Sequence, residues 1–200
     1  MYLLRISYLI CLIASLISLS SCAILSETGS RTAAPKADDW DKVPKTYIDG
    51  LKSARKGDSK TAISLLKLTT ESHPDFSPAY INLGLQQLRL KRLDEAELSL
   101  KKSVELKPDS EVAYQHLGVL YRLKGEFSKA QSMYEKALDL NSDYAEAHLN
   151  LGILLDMYLY DFEEALAHYE AYQSLLGNKD KDVAKWIIDI KRRIAKNKQS

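Results

Sequence analysis

A spacing of 34 residues governs this chain and decides what it can fold into. Gly84, Gly118 and Gly152 are separated by it, as are Leu83, Leu117 and Leu151, and Tyr80, Tyr114 and His148. Ala96 and Ala130 keep the same interval, and one step further back it reaches Ala62, Gly50 and, from Pro108, Pro74. A fixed period of this length means supersecondary units that cannot bury an apolar face alone and do so by stacking on their neighbours.

Inside one unit, 111–144, the apolar residues fall into two helical runs. The first holds Tyr114, Leu117, Gly118 and Tyr121; the second holds Phe127, Ala130, Tyr134, Ala137 and Leu140, with Gly125 at the break. Both runs have the spacing of one buried helix face. Gly118, within a helical pattern, costs about 1 kcal/mol relative to alanine and so implies a close helix approach, whereas Gly125 suits a turn. Ala130 and Ala137 allow the same closeness.

These residues resemble the tetratricopeptide repeat (TPR) family, whose pattern runs aromatic, Leu-Gly, aromatic, Gly, aromatic, Ala, aromatic, Ala and Pro. The 111–144 unit matches all but the last, where Ser142 stands. The resemblance implies an all-α fold, a right-handed superhelical stack of about four helix-turn-helix units over 43–179, divided as 43–76, 77–110, 111–144 and 145–179. The first unit departs from the pattern, with Asp49 where Leu is usual. The last has one extra residue, since Ala165 follows Ala130 by 35, and the segment Asp156 to Asp161 is expected to form a longer, distorted turn. After a polar break at Asn178 to Asp182, Val183, Ile187, Ile190 and Ile194 recur at helical spacing beside Trp186, so 180–200 reads as a capping helix and tail. Lys185, Lys191, Arg192, Arg193 and Lys196 form its polar side, either a plain solvated face or a patch for acidic lipid or a partner.

The N-terminus carries a different message. Arg5 precedes an apolar run from Ile6 to Leu19, too short for a comfortable membrane span of ~20 residues, so 1–21 reads as a secretory signal. It ends in Leu19-Ser20-Ser21-Cys22, which resembles the bacterial lipobox; that resemblance implies diacylglycerol on the Cys22 thiol and a mature chain beginning there. The other reading is an ordinary signal peptide cut after Ala23. Under the first, Cys11 leaves with the signal, and with only two cysteines in the chain no thiol remains for disulfide, metal or redox work. Acyl chains contribute about 0.8 kcal/mol per buried methylene. By resemblance to Gram-negative lipoproteins, Ala23 in place of Asp after the cysteine implies the outer membrane, facing the periplasm.

Residues 22–42 form the lipidated N-terminus and a tether rich in Ser, Thr, Ala, Gly, Pro and charge, without helical period. As a coil its r.m.s. reach is about 25 Å, and fully extended it spans ~70 Å. Trp40 reads as a lid on the first repeat, or alternatively as a membrane-interface residue.

Chemistry is sparse. Lys and Arg number 28 against 27 Asp and Glu, a balance that gives no footprint for nucleic acid. His73, His116, His148 and His168 form no metal pattern with nearby acids, no nucleophile turn or Gly-rich phosphate loop occurs, and Glu163 and Glu164 read as a solvated helix start. The sequence therefore predicts no enzyme, cofactor or metal.

What remains is the concave surface. The family resemblance assigns it to given positions of each unit's first helix, here Tyr47, Leu51, Ala54 and Arg55, then Ile81, Leu85, Leu88 and Arg89, then Val112, Gln115, Val119, Arg122 and Leu123, then Glu146, Leu149, Ile153, Asp156 and Met157. Asn82 and Asn150 are placed to bond a peptide backbone. The expected binding mode lays an apolar helix or extended segment along Leu51, Leu85, Val119 and Ile153, with an acidic group on a stripe of Arg55, Arg89 and Arg122. The chaperone-tail carboxylate clamp of the family is absent, because Ile81 and Leu85 stand where its lysine and asparagine belong. The alternative is that the apolar residues pack only between repeats and the arginines are solvated. The functional expectation is a lipid-anchored scaffold that binds a protein and assembles or stabilises an envelope complex of the pilus, secretion or motility type. The alternative is an adaptor or regulator of cell-wall (peptidoglycan) enzymes, with a homodimer through the capping helix left open.

Overall fold

In the computed structural model the structure describes residues 43–198. Nine α-helices follow one another among these residues: α1 (Lys45–Arg55), α2 (Ser59–Ser72), α3 (Ser77–Arg89), α4 (Leu93–Leu106), α5 (Glu111–Leu123), α6 (Phe127–Leu140), α7 (Ala145–Leu154), α8 (Phe162–Leu175) and α9 (Lys181–Asn197). A single π-helical turn, Leu155–Leu159, extends α7. They form four stacked pairs closed by α9, an all-α repeat stack, and α3, α5 and α7 begin at the first residues of the second, third and fourth units.

One contact repeats in every pair and explains the glycines. A methyl group at Gly50 would lie 3.1 Å from Leu66 Cγ, at Gly84 2.7 Å from Leu100 Cγ and at Gly152 2.8 Å from Tyr169 Cδ1, while at Gly118 it would overlap the Tyr134 ring. The first helix thus offers bare backbone and the second a large side chain that fills the space. Ala62, Ala96, Ala130 and Ala165 on the second helices are fully buried and bring the pair together from the other side. At the densities of protein interiors such a fit leaves no room for an added methyl.

Polar groups between helices are matched. Ser59 Oγ donates to Gln86 Oε1 at 2.9 Å and Ser99 Oγ to Gln87 Oε1 at 2.7 Å. Ser77 Oγ donates to the Ser103 carbonyl at 3.0 Å. Helix starts are capped by side chains at Asp58, Ser110, Asp161 and Asp180, each accepting from a backbone N–H of the first turn, where four such donors lack intrahelical partners. The Asp58 carboxyl is held below its ordinary value, chiefly by its bond from Thr61.

The extra residue of the fourth unit does not lengthen the loop, as the sequence had suggested. It is taken up inside the helix, where the N–H groups of Tyr160 and Asp161 both reach back to the Leu155 carbonyl. A π turn is the usual way to hold one inserted residue within an α-helix. Its consequence is that Ala165 and Tyr169 keep their places against Gly152 although they sit one residue late. Each of the four turns between paired helices then passes through a left-handed residue: Gly57 (φ 81°), Lys91 (φ 58°), Gly125 (φ 76°) and Tyr160 (φ 60°).

The core is divided. Leu88, Leu100, Leu117, Leu120, Tyr134, Leu151, Tyr169, Val183 and Ile190 belong to one cluster that runs from the second pair to α9. Ala62, Ile63, Leu66 and Leu83 form a separate cluster that joins the first pair to α3.

Candidate functional site: the concave wall

The first helices α1, α3, α5 and α7 carry the residues assigned to the groove. Leu51, Leu85, Val119 and Ile153 stand at the same position of successive units and all four are half-buried. Tyr47, Ile81 and Leu149 are half-buried too, whereas Gln115, at the same position as these three, is buried with its Oε1 unbonded. Tyr47 packs edge-on against Phe76 at 5.0 Å between ring centres, and loss of water pushes its hydroxyl up to about 12.

The two asparagines already have partners within the chain. Asn82 Nδ2 donates to Tyr47 Oη at 3.0 Å and to the Pro78 carbonyl at 2.9 Å. Asn150 Nδ2 donates to the Glu146 carbonyl at 2.8 Å, and its Oδ1 accepts from Arg122. Their carboxamides therefore tie the wall together as well as facing it.

The three arginines do not make a uniform stripe. Arg55 is exposed at the end of α1. Arg89 is half-buried and its Nη1 donates to the Ala54 carbonyl at 3.4 Å, in the last turn of α1, where a cation complements the helix dipole. Arg122, also half-buried, donates from Nε to Tyr134 Oη at 3.4 Å and from Nη2 to Asn150 Oδ1 at 3.5 Å. Beside Arg89, burial pushes the His116 imidazole down to about 4, with the guanidinium adding to the effect.

Two clusters escaped sequence reasoning. Asp156, one period after Arg122, is buried and forms an ion pair with Arg193 of α9. It also accepts from Tyr169 Oη at 3.4 Å, and the Arg193 guanidinium lies 4.4 Å from the centre of the Phe162 ring. The second cluster is His148 and His168, whose Nδ1 atoms are 2.9 Å apart, with His148 Nε2 2.9 Å from the Ser142 carbonyl. The separation of 20 residues between the histidines, and of 37 between Asp156 and Arg193, is a product of helix pairing that no local motif announces.

The basic side of α9 is largely committed within the chain: Lys185 pairs with Asp182 at 2.8 Å and Lys191 with Glu170 at 2.7 Å. Among the described residues no group of three or more His, Cys, Asp or Glu side chains could hold a metal ion, and no helix is long and apolar enough to cross a membrane. Cys22, the signal segment, the tether and Trp40 lie outside the described residues.

Models of the tetratricopeptide repeat match residues 77–110 and 118–156. No curated protein matches the chain. Among solved structures, MamA is similar at 25% identity and a TM-score of 0.58 over 76% of this chain and 97% of that one. TTC0263, a thermophilic TPR protein of Thermus thermophilus, is similar at 23% identity and a TM-score of 0.65 over 72% and 79%. The first TPR of Spaghetti (RPAP3), solved with an HSP90 peptide, shares the fold at 22% identity and a TM-score of 0.56 over 60% and 93%. The interlocking glycine contacts, the family models and these folds agree: residues 77–110 and 118–156 match tetratricopeptide repeats, and the described part of the chain is an all-α stack of helix pairs with the fold of such repeats.

Proposed function

We propose that this protein is a lipid-anchored, periplasm-facing scaffold that binds another protein along its concave wall and so assembles or stabilises an envelope complex of the pilus, secretion or motility type. The observation that carries the binding half is the row Leu51, Leu85, Val119 and Ile153, four apolar side chains left half-exposed in register on successive first helices. Apolar rungs at a constant interval suit an apolar helix or extended segment, which would bury them further at about 25 cal/mol per Å². A stack of the same fold, the first TPR of Spaghetti, is solved bound to an HSP90 peptide, which supports peptide binding in general and not this mode of it. The anchoring half rests on Leu19-Ser20-Ser21-Cys22 and Ala23. No chemistry is assigned to the site; its work is recognition.

The test is a crosslinking capture from membranes, with the intact protein beside a Leu85→Asp, Val119→Asp variant. Loss of one envelope-machine subunit from the variant's captured set supports the scaffold. Capture of soluble wall hydrolases or synthases instead would assign the protein to peptidoglycan enzymes. A Cys22→Ala form that still fractionates with the outer membrane would remove the lipid anchor from the proposal.

A further inference from the structure

The Arg122 guanidinium meets side chains of two other helices, α6 and α7. The hydrogen-bond partners of its guanidinium among the described residues are neutral, the hydroxyl of Tyr134 and the carboxamide oxygen of Asn150, and the Tyr158 hydroxyl acts on it as well. The bonds to Tyr134 and Asn150, 3.4 and 3.5 Å, are at the long limit for such contacts. Asp156, which the repeat period places in register with Arg122, is engaged by Arg193 and Tyr169. A guanidinium drawn partly out of water without a counter-charge is costly, and the cost is recovered when a carboxylate meets its planar fork.

The inserted residue of the fourth unit supplies the far side of this seam. Tyr158 belongs to the π turn, its ring lies against Phe127 with centres 4.6 Å apart, and its hydroxyl acts on the Arg122 guanidinium. Val119 precedes Arg122 by one helical turn on α5, and Ile153 follows Asn150 by one turn on α7, so a polar notch sits between two apolar rungs of the wall. The π turn, otherwise a break in a regular array, here completes the notch; such turns often mark functional positions.

We infer that the notch between Arg122, Asn150 and Tyr158 seats the side-chain carboxylate of an aspartate or glutamate in the partner segment, with flanking apolar residues of that segment on Val119 and Ile153. This rests on the reading of the concave wall as a protein-binding groove and adds to it the place and charge of the specificity contact. The seat lies in the third and fourth units. Arg55 takes no part in it, and Arg89 serves the end of α1.

A random peptide library displayed on phage and selected against the full chain tests the inference. On the wild type, enriched peptides carry an acid between apolar residues, and changing that acid to its amide weakens binding about tenfold, the size of a lost charged hydrogen bond. In Arg122→Gln the acid-to-amide ratio falls to about 1, and in Arg55→Gln it is unchanged. Tyr158→Phe keeps the ring on Phe127 and removes only the hydroxyl, so a several-fold drop in the ratio is expected with the helical circular dichroism intact. An acid preference that survives in Arg122→Gln, or enriched peptides without an acid, overturns the seat and leaves the groove standing. Enrichment no better than that of the Leu85→Asp, Val119→Asp variant overturns the groove and the seat with it.

Discussion

Gly118 is the tightest point of the stack, because the Tyr134 ring occupies the space a side chain would need. Tyr134 is itself fully buried and cannot swing away. Gly118→Ala is therefore expected to cost about 2 kcal/mol and Gly118→Leu to prevent folding of the central pair, read as the urea midpoint and the loss of helical dichroism. The opposite change is available at Lys91, a non-glycine residue in the left-handed region at φ 58° where two of its three counterparts are glycine. An L-residue there costs roughly 1–2 kcal/mol. Lys91→Gly should raise stability by about 1 kcal/mol, the strain relieved less the added freedom of the unfolded chain; an unchanged midpoint would show that the turn carries no strain.

The histidine pair has a defined arrangement of protons. His148 Nε2 must donate to the Ser142 carbonyl, so its Nδ1 accepts from His168 Nδ1–H. Burial, with His148 adding to it, pushes His168 down to about 4. Glu164 lies 3.9 Å from His168 Nε2 and its own carboxyl is raised, first by burial and then by Asp161 and Glu135. Above pH ~6.5 the imidazole is neutral in folded and unfolded chains alike. Between that pH and about 4 the unfolded chain binds a proton that the folded His168 refuses, so stability declines as the pH falls through this window. The loss should be on the order of 2 kcal/mol and should shrink in His168→Gln, measured as urea midpoints on both sides of the window.

At the scale of the element, α9 shows how the array stops. Lys181 and Ala145 are the first residues of their helices, so Ile188 of α9 occupies the place of Gly152 in α7. Where every other first helix is bare for its second helix, α9 carries an isoleucine, 53% exposed, that bars one from approaching. On its inner side Val183 and Ile190 are buried and Trp186 lies 5.6 Å from the Tyr169 ring. Ile190→Ala should cost about 3 kcal/mol, detected as a lowered unfolding midpoint of the last pair.

Much of this architecture was legible because it is periodic. The glycine of each first helix, the alanines of the first three second helices and the starts at Ser77, Glu111 and Ala145 recur at one interval, and the apolar run from Val183 announces α9. Two features escaped for physical reasons. The left-handed turns at Lys91 and Tyr160 lack the glycine that marks their counterparts, since packing on both sides imposes the conformation whatever the residue. The insertion after Leu154 gave its position but not its form, because a loop and a π turn lengthen the sequence equally; only the demand that Tyr169 stay on Gly152 chooses between them. On the wall, the spacing located the arginines but not their surroundings, which depend on side chains brought from other helices, Tyr134 and Asn150 among them.

For the whole molecule, a stack stabilised by nearest-neighbour contacts unfolds unit by unit from its weaker end. The first pair is that end: Gly50 is the one buried residue of α1, and its apolar cluster is separate from the one that unites the second pair with α9. Hydrogen exchange should be fastest in α1 and α2 and slowest in α5 to α8. Equal protection throughout would mean that the two clusters open together.

That division of the core also gives the molecule a mechanical character. Tension applied at Val43 acts first on α1 and α2, whose apolar cluster is small, and reaches the larger cluster only after they have yielded. Releasing one unit frees roughly 110 Å of chain at full extension, so a load is first absorbed as length. The third and fourth units, where Arg122, Asn150 and Tyr158 meet, keep their shape while the first gives way. A protein held at one end and gripping a partner at the other would thus carry its own overload spring.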